Sequence, residues 1–194
     1  MAKPNDRELV EQTKAGDNAA FGVLVRRYQR RIFRLAFHLV RSGAEAEDVT
    51  QETFVRAYQA IDRFDGRSEP FTWLYRIAVN LSLNTLRSRK AGRDSTPVDD
   101  PRIEGLLMET RPSQGGDPAT ASQQRQLAAA LCEGIDTLSD TLRTTLILVC
   151  IDGLAHDDAS KILGCPEGTV AWRVHEARRK LREYLATRGF EGEA

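Results

Sequence analysis

Apolar residues recur at intervals of three, four and seven through most of this chain, and no window alternates with the period of two that a half-buried strand requires. Phe21, Leu24, Val25, Tyr28, Ile32, Leu35, Ala36 and Leu39 fall on one side of a helix, with Arg26, Arg27, Arg30, Arg31 and Arg34 largely opposite. Asp17 suits the N-cap of that helix and Gly43 its stop. A second helix over 44–61 turns Ala46, Val49, Thr53, Phe54, Ala57, Tyr58 and Ile61 inward. A third, over 71–89, is apolar around most of its circumference and predicts burial on more than one side. Farther on, the spacing predicts helices over 122–136, 139–152, 157–163 and 166–185, with Ser139 as a cap and Gly153 and Gly164 as stops.

Between the two sets, Pro97, Pro101, Pro112 and Pro118 stand with Gly105, Gly115 and Gly116, a linker composition over 91–122 with a short helical turn over 103–109. The pattern therefore predicts an all-α protein of two small helical domains on a flexible linker. Residues 1–90 form an N-terminal helical bundle, and 123–194 a C-terminal four-helix domain containing a helix-turn-helix.

Charge refines this picture more than composition does. The 194 residues are 41% hydrophobic and 29% charged, within the range of soluble globular proteins. The 28 basic and 28 acidic residues cancel in the total but not along the chain. Residues 1–90 hold 16 basic and 11 acidic groups (+5), 91–125 hold 4 and 6 (−2), and 126–194 hold 8 and 11 (−3). The first residues lack the apolar run of a signal peptide, and no stretch of about 18 apolar residues occurs, so a cytoplasmic protein without membrane insertion is expected. Cys132, Cys150 and Cys165 are too few and too scattered for a disulfide framework or a paired-cysteine zinc site, and read as small buried hydrophobes. His38, His156 and His175 have no ligand spacing, and no Ser or Cys sits in a nucleophile motif, so neither a metal, a cofactor nor catalysis is expected.

Three segments carry candidate chemistry. In the second helix Asp48, Gln51, Glu52, Val55 and Gln59 share the face opposite the apolar one; by spacing alone this is the solvated side of an amphipathic helix. In the third, Trp73, Arg76, Asn80, Asn84 and Arg87 form a stripe of aromatic, amide and guanidinium groups. Those groups suit single-stranded nucleic acid, where aromatics stack on bases, amides read base edges and arginines hold the backbone; core aromatics with solubilising arginines would give the same stripe. Near the C-terminus a short helix, a turn at Gly164 and a long helix starting at Pro166 fit a helix-turn-helix with Ile162, Leu163, Val170 and Val174 as its core. Its second helix projects Thr169, Trp172, Arg173, His175, Glu176 and Arg179, with Arg178, Arg179, Lys180 and Arg182 for phosphates. An αα-hairpin with a basic outer face would share the pattern; Trp172, apolar and among arginines, favours the binding reading unless the first helix covers it.

In this order the three segments resemble the bacterial sigma factors of the extracytoplasmic-function group. The resemblance rests on Glu47-Asp48-Val49-Thr50-Gln51-Glu52-Thr53-Phe54, similar to the family's polymerase-binding segment, on Trp73-Leu74-Tyr75-Arg76-Ile77-Ala78-Val79-Asn80, similar to its promoter-melting helix, and on Leu163-Gly164-Cys165-Pro166-Glu167-Gly168-Thr169-Val170, similar to its helix-turn-helix turn. It implies that Asp48, Gln51, Glu52 and Val55 bind core RNA polymerase. It further implies that Arg63, Phe64, Phe71, Trp73, Arg76, Asn80, Asn84 and Arg87 capture the melted near promoter element, with Asn80 close to an extruded base. Thr169, Trp172, Arg173, His175, Glu176 and Arg179 would read the distal element as duplex DNA, and an anti-sigma factor is implied as a further partner. The chain departs from the family pattern at Ala155 and at Ala159-Ser160, where the first helix of the helix-turn-helix loses a cap and core volume, Asp157 and Asp158 partly compensating. It departs again at Trp172 and Glu176, which stand where small or basic residues are usual. A stand-alone helix-turn-helix regulator, with residues 1–90 for dimerisation or sensing, is the alternative; it predicts tight, palindromic duplex binding without polymerase.

Overall fold

The computed structural model describes residues 4–91 and 118–190. Within them the chain forms α1 (Asp6–Lys14), α2 (Asn18–Val40), α3 (Gly43–Gln59), a single 3-10 turn (Ile61–Arg63) and α4 (Pro70–Ala91), then α5 (Pro118–Thr137), α6 (Asp140–Leu146) with a π turn (Ile147–Ile151), α7 (His156–Leu163) and α8 (Glu167–Thr187). No strand occurs among the described residues, in keeping with the all-α expectation.

Local chemistry starts most of these helices where the sequence placed them. The Asp17 carboxylate accepts from the Ala19 and Ala20 amides, and the Ser42 and Ser139 hydroxyls cap α3 and α6. α1 lay outside the predicted helices; Asn5 and Glu8 close a reciprocal capping box that starts it, and Leu9 and Val10 anchor it to the core. α2 stops earlier than Gly43 predicts. Arg41 takes the left-handed C-cap position at φ 60°, and Gly43 opens α3 instead. An L-residue there costs roughly 1–2 kcal/mol; Arg41 is held by donating to the Cys132 carbonyl at 3.4 Å and pairing with Asp136 at 3.3 Å. Pro166 is the N-cap of α8 rather than its first helical residue, and α5 begins at Pro118, inside the segment expected to be linker. Ala91, its first residue, ends α4, and residues 92–117, including the turn expected over 103–109, lie outside the described residues.

The two helical domains expected from the sequence also pack against each other. One apolar core takes in Leu9, Leu24, Ile32, Leu35, Leu74, Tyr75 and Ala78 from the N-terminal helices and continues into Ile147, Leu148, Leu154, Ala159 and Ile162 of the C-terminal ones. Smaller cores complete each side: Ala36, Phe37, Val40, Ala46, Val49 and Leu81 between α2, α3 and α4, and Ile135, Leu138, Leu142, Leu146, Ala177 and Leu181 around α8. α4 touches α1, α2, α3 and α7, which is why it is apolar on several sides.

Polar contacts stitch the same seam. Arg34 pairs with Asp152 at 3.2 Å, Arg76 donates to the Lys161 carbonyl at 2.6 Å, and Lys90 pairs with Asp140 at 2.9 Å. The Asp152 side chain is wholly buried (0% exposed). Burial pushes its carboxyl above the usual range although Arg34 opposes this. Beside it the Tyr75 hydroxyl faces the carboxylate, and burial together with that charge pushes it up; by distance and angle one Asp152 oxygen completes no hydrogen bond.

Candidate functional site

On α3 the polar stripe stands clear of the fold. Asp48, Gln51, Val55 and Gln59 are exposed, and Glu52 is half-buried while pairing with Arg56 at 2.6 Å. Val55, 48% exposed, places an aliphatic side chain in the middle of this acidic and amide stripe. An exposed valine between carboxylates has no role in packing α3, whose apolar face is buried on the other side, so the stripe presents a mixed apolar and acidic surface. Gln29, Arg30 and Phe33 of α2 line a shallow groove with Glu47, Thr50 and Gln51 of α3. The sequence reading missed this second wall: the α2 pattern assigns Arg30 to a solvated face, and periodicity within one helix carries no signal for its neighbour. Tyr58, expected inward, is 44% exposed; its hydroxyl donates to Asn18 at 2.6 Å and its ring meets Phe21 edge-on at 5.1 Å.

The loop after α3 and the helix α4 carry the second set, and the structure divides it. Arg63, Arg76, Asn80, Asn84 and Arg87 are exposed. Three of the five have partners of their own: Asn84 accepts from Arg87 at 3.1 Å, and Arg76 is engaged by Lys161. The aromatic members are packing residues first. Phe64 is buried against Trp73 at 5.1 Å beneath the Lys14 ammonium, which also donates to the Phe64 carbonyl at 2.8 Å. Phe71 lies 4.3 Å from Tyr75 and 5.9 Å from Tyr28, with the Arg31 guanidinium 5.1 Å over its ring. Tyr75 is core outright, and Trp73 is half-buried. Of this set the Asn80 amide stands exposed, whereas Phe64 is buried in its pocket.

In the helix-turn-helix, Gly164 ends α7 in the left-handed conformation at φ 64°, where glycine alone escapes a steric penalty. Ala159 and Ile162 of α7 then meet Val170 and Val174 of α8. Ala155 caps α7 without a side-chain bond, as the sequence departure implies, with Asp157 and Asp158 in the first turn. Trp172 is 62% exposed, so α7 does not cover it. His175 is exposed, and Thr169, Arg173 and Glu176 are half-buried. Arg173 turns back to the Cys165 sulfur at 3.4 Å, and Arg178 reaches the Cys150 sulfur at 3.3 Å. Cys150 is exposed and Cys132 and Cys165 are partly so, which corrects the reading of all three as buried. Arg179, expected to approach DNA, grips Glu176 through two 2.8 Å hydrogen bonds and reaches Glu183 as well. Its guanidinium holds the Glu176 carboxyl below the usual range.

The two halves of this surface match separate family profiles. That described as Sigma-70 region 2 matches residues 24–92, and that described as Sigma-70, region 4 matches residues 130–181. The RNA polymerase sigma-H factor of Pseudomonas aeruginosa is 36% identical over 185 residues, covering 95% of this chain and 96% of that protein. The chain belongs to the ECF group of RNA polymerase sigma factors. The ECF RNA polymerase sigma-E factor of Escherichia coli K12 is likewise 36% identical over 176 residues, or 91% of this chain and 92% of that one. In structure the sigma factor is similar to CnrH, solved in complex with the cytosolic domain of CnrY, at a TM-score of 0.69 and 26% identity over 94% of this chain and 97% of that one. It is also similar to the sigma factor RpoE of Bartonella quintana, solved with the anti-sigma factor NepR, at a TM-score of 0.60 and 26% identity over 84% and 93%. The α3 stripe and α4 fall within region 2 of the sigma factor and the helix-turn-helix within region 4. Among the described residues no helix is long and apolar enough to cross a membrane.

Proposed function

We propose that this sigma factor docks on core RNA polymerase through Asp48, Gln51, Glu52 and Val55, reads the melted near promoter element with α4, and reads the distal element as duplex with α8. The exposed α3 stripe carries this reading: an aliphatic side chain set among carboxylates and amides, opposite the buried Ala46, Val49, Phe54 and Ala57, is a surface built for a protein partner. Residues 1–90 act as the polymerase-binding and melting unit, 91–122 as the linker and 123–194 as the distal-element reader. The factor works in the cytoplasm and supplies no catalytic group; polymerase performs the chemistry. An anti-sigma factor is the expected antagonist, by likeness to the Bartonella quintana protein.

The charge distribution fits this division of labour. Phosphate neutralisation dominates nucleic-acid affinity, and a chain of zero net charge with a −3 C-terminal segment provides little of it. Selection is the contribution of the sigma factor, and the bulk of the phosphate affinity is left to polymerase. Arg76 must leave the Lys161 carbonyl before it contacts DNA, so promoter engagement by α4 competes with the seam between the two units. A stand-alone regulator would use region 2 for dimerisation or sensing and would bind duplex DNA tightly without polymerase.

Binding of purified core polymerase tests the assignment. Asp48→Ala with Glu52→Ala, and separately Val55→Asp, are expected to weaken binding at least about tenfold, because truncating an interface hot spot costs about 2 kcal/mol or more. Unchanged affinity in both variants refutes the docking surface, and tight sequence-specific duplex binding by the free protein would favour the regulator instead.

A further inference from the structure

We propose that Glu176 reads a base of the distal promoter element by accepting from the exocyclic amine of a cytosine in the major groove, and that Arg179 positions that carboxylate rather than holding phosphate. The inference rests on the sigma-factor reading and makes its distal specificity explicit. A carboxylate on a recognition helix is normally unwelcome, since duplex DNA presents one negative charge per roughly 1.7 Å of its axis. In this protein the carboxylate does not arrive bare. Arg179 donates from Nε to Oε2 and from Nη2 to Oε1 of Glu176, each at 2.8 Å, a two-point grip that fixes the plane of the carboxylate and compensates its charge.

Both partners lose alternatives through this arrangement. Arg179 also reaches Glu183 from its other side, so two carboxylates occupy its fork and the trio keeps a net negative charge, which makes it a poor phosphate ligand. Each oxygen of Glu176 retains a second lone-pair direction after taking one hydrogen bond from Arg179. Glu176 stands one turn beyond Trp172 on the side of α8 that Thr169, Trp172 and Arg173 share, and Trp172 is open to solvent there. Of the base edges in the major groove, those of guanine and thymine offer only acceptors to this position. Adenine places N7 next to its amine and so repels a carboxylate, whereas cytosine offers its amine with no acceptor on the same base edge.

Transcription from a promoter library with a randomised distal element, using a bacterial core RNA polymerase that binds the protein, tests the proposal. The wild-type factor is expected to select cytosine at one position of that element by about five- to a hundredfold. Glu176→Gln is expected to move the preference at that same position to adenine, because an amide pairs with adenine N6 and N7. Arg179→Lys keeps the positive charge but loses the fork, so it is expected to flatten the cytosine preference at that position. Helicity of each variant confirms that it folds. A Glu176→Gln profile with unchanged base preference and uniformly higher yield overturns the proposal, since Glu176 would then act only as a repulsive charge. Retention of the preference in Arg179→Lys overturns the positioning role. Promoter-selective transcripts without any cytosine preference refute the base reading alone, whereas no promoter-selective transcription at all refutes the sigma-factor assignment on which it rests.

Discussion

Removing Arg34 deprives a wholly buried carboxylate of its counter-charge, because Asp152 has no exposed side-chain surface and Arg34 is its ion-pair partner across the seam. Breaking one side of a buried pair costs about 3–5 kcal/mol; Arg34 itself is 37% exposed, so water moderates the loss and about 2–3 kcal/mol is expected for Arg34→Ala. Asp152→Ala costs less, about 1 kcal/mol, since the guanidinium left behind can turn to solvent and the unsatisfied Asp152 oxygen disappears with the side chain. In the double variant the orphaned charge is gone, so Arg34→Ala adds almost nothing once Asp152→Ala is in place. A double-mutant cycle measured by urea unfolding should therefore give a coupling of about 2 kcal/mol. Because the two residues are 118 positions apart and belong to different units, this coupling exists only if the units are docked as described. Costs that add to within about 0.5 kcal/mol would refute the seam in solution.

His38 and Asn80 give two further tests. Burial, aided by Arg41 and Arg34, lowers the His38 imidazole to about 4 from an ordinary 6.5, so the folded protein holds it neutral. A folded-state pKa below the unfolded one means that the unfolded chain takes up the proton first as pH falls; about 3 kcal/mol of stability should be lost between pH 7 and pH 4, and a His38→Gln variant should lack that part of the dependence. If the urea midpoints of the two proteins run parallel across this range, His38 is not buried neutral. Asn80→Ala, an exposed change on α4, should leave stability within about 0.5 kcal/mol and polymerase affinity unchanged while slowing open-complex formation, read by permanganate footprinting. Equal losses in polymerase binding and melting would place Asn80 outside promoter reading.

Helix existence, the apolar face of each helix, and several of the caps were legible in the sequence because each depends on residues three or four positions apart: Asp17 caps α2, Ser139 caps α6 and Gly164 ends α7 as the local chemistry requires. The same local logic exposed the stripe from Asp48 to Gln59 and the outer row of α8. It failed where a distant partner decides. Arg41 ends α2 in a conformation its own chemistry disfavours, held from α5 by Cys132 and Asp136. Phe64 and Phe71, read as candidates for meeting bases, are committed to Trp73, Tyr75 and Tyr28. Periodicity tells that one side of a helix must be covered but not by what. That α4 also packs against α7, and that Asp152 finds its counter-charge on α2, follow only from the three-dimensional packing, since contact energies depend on separation in space and not along the chain.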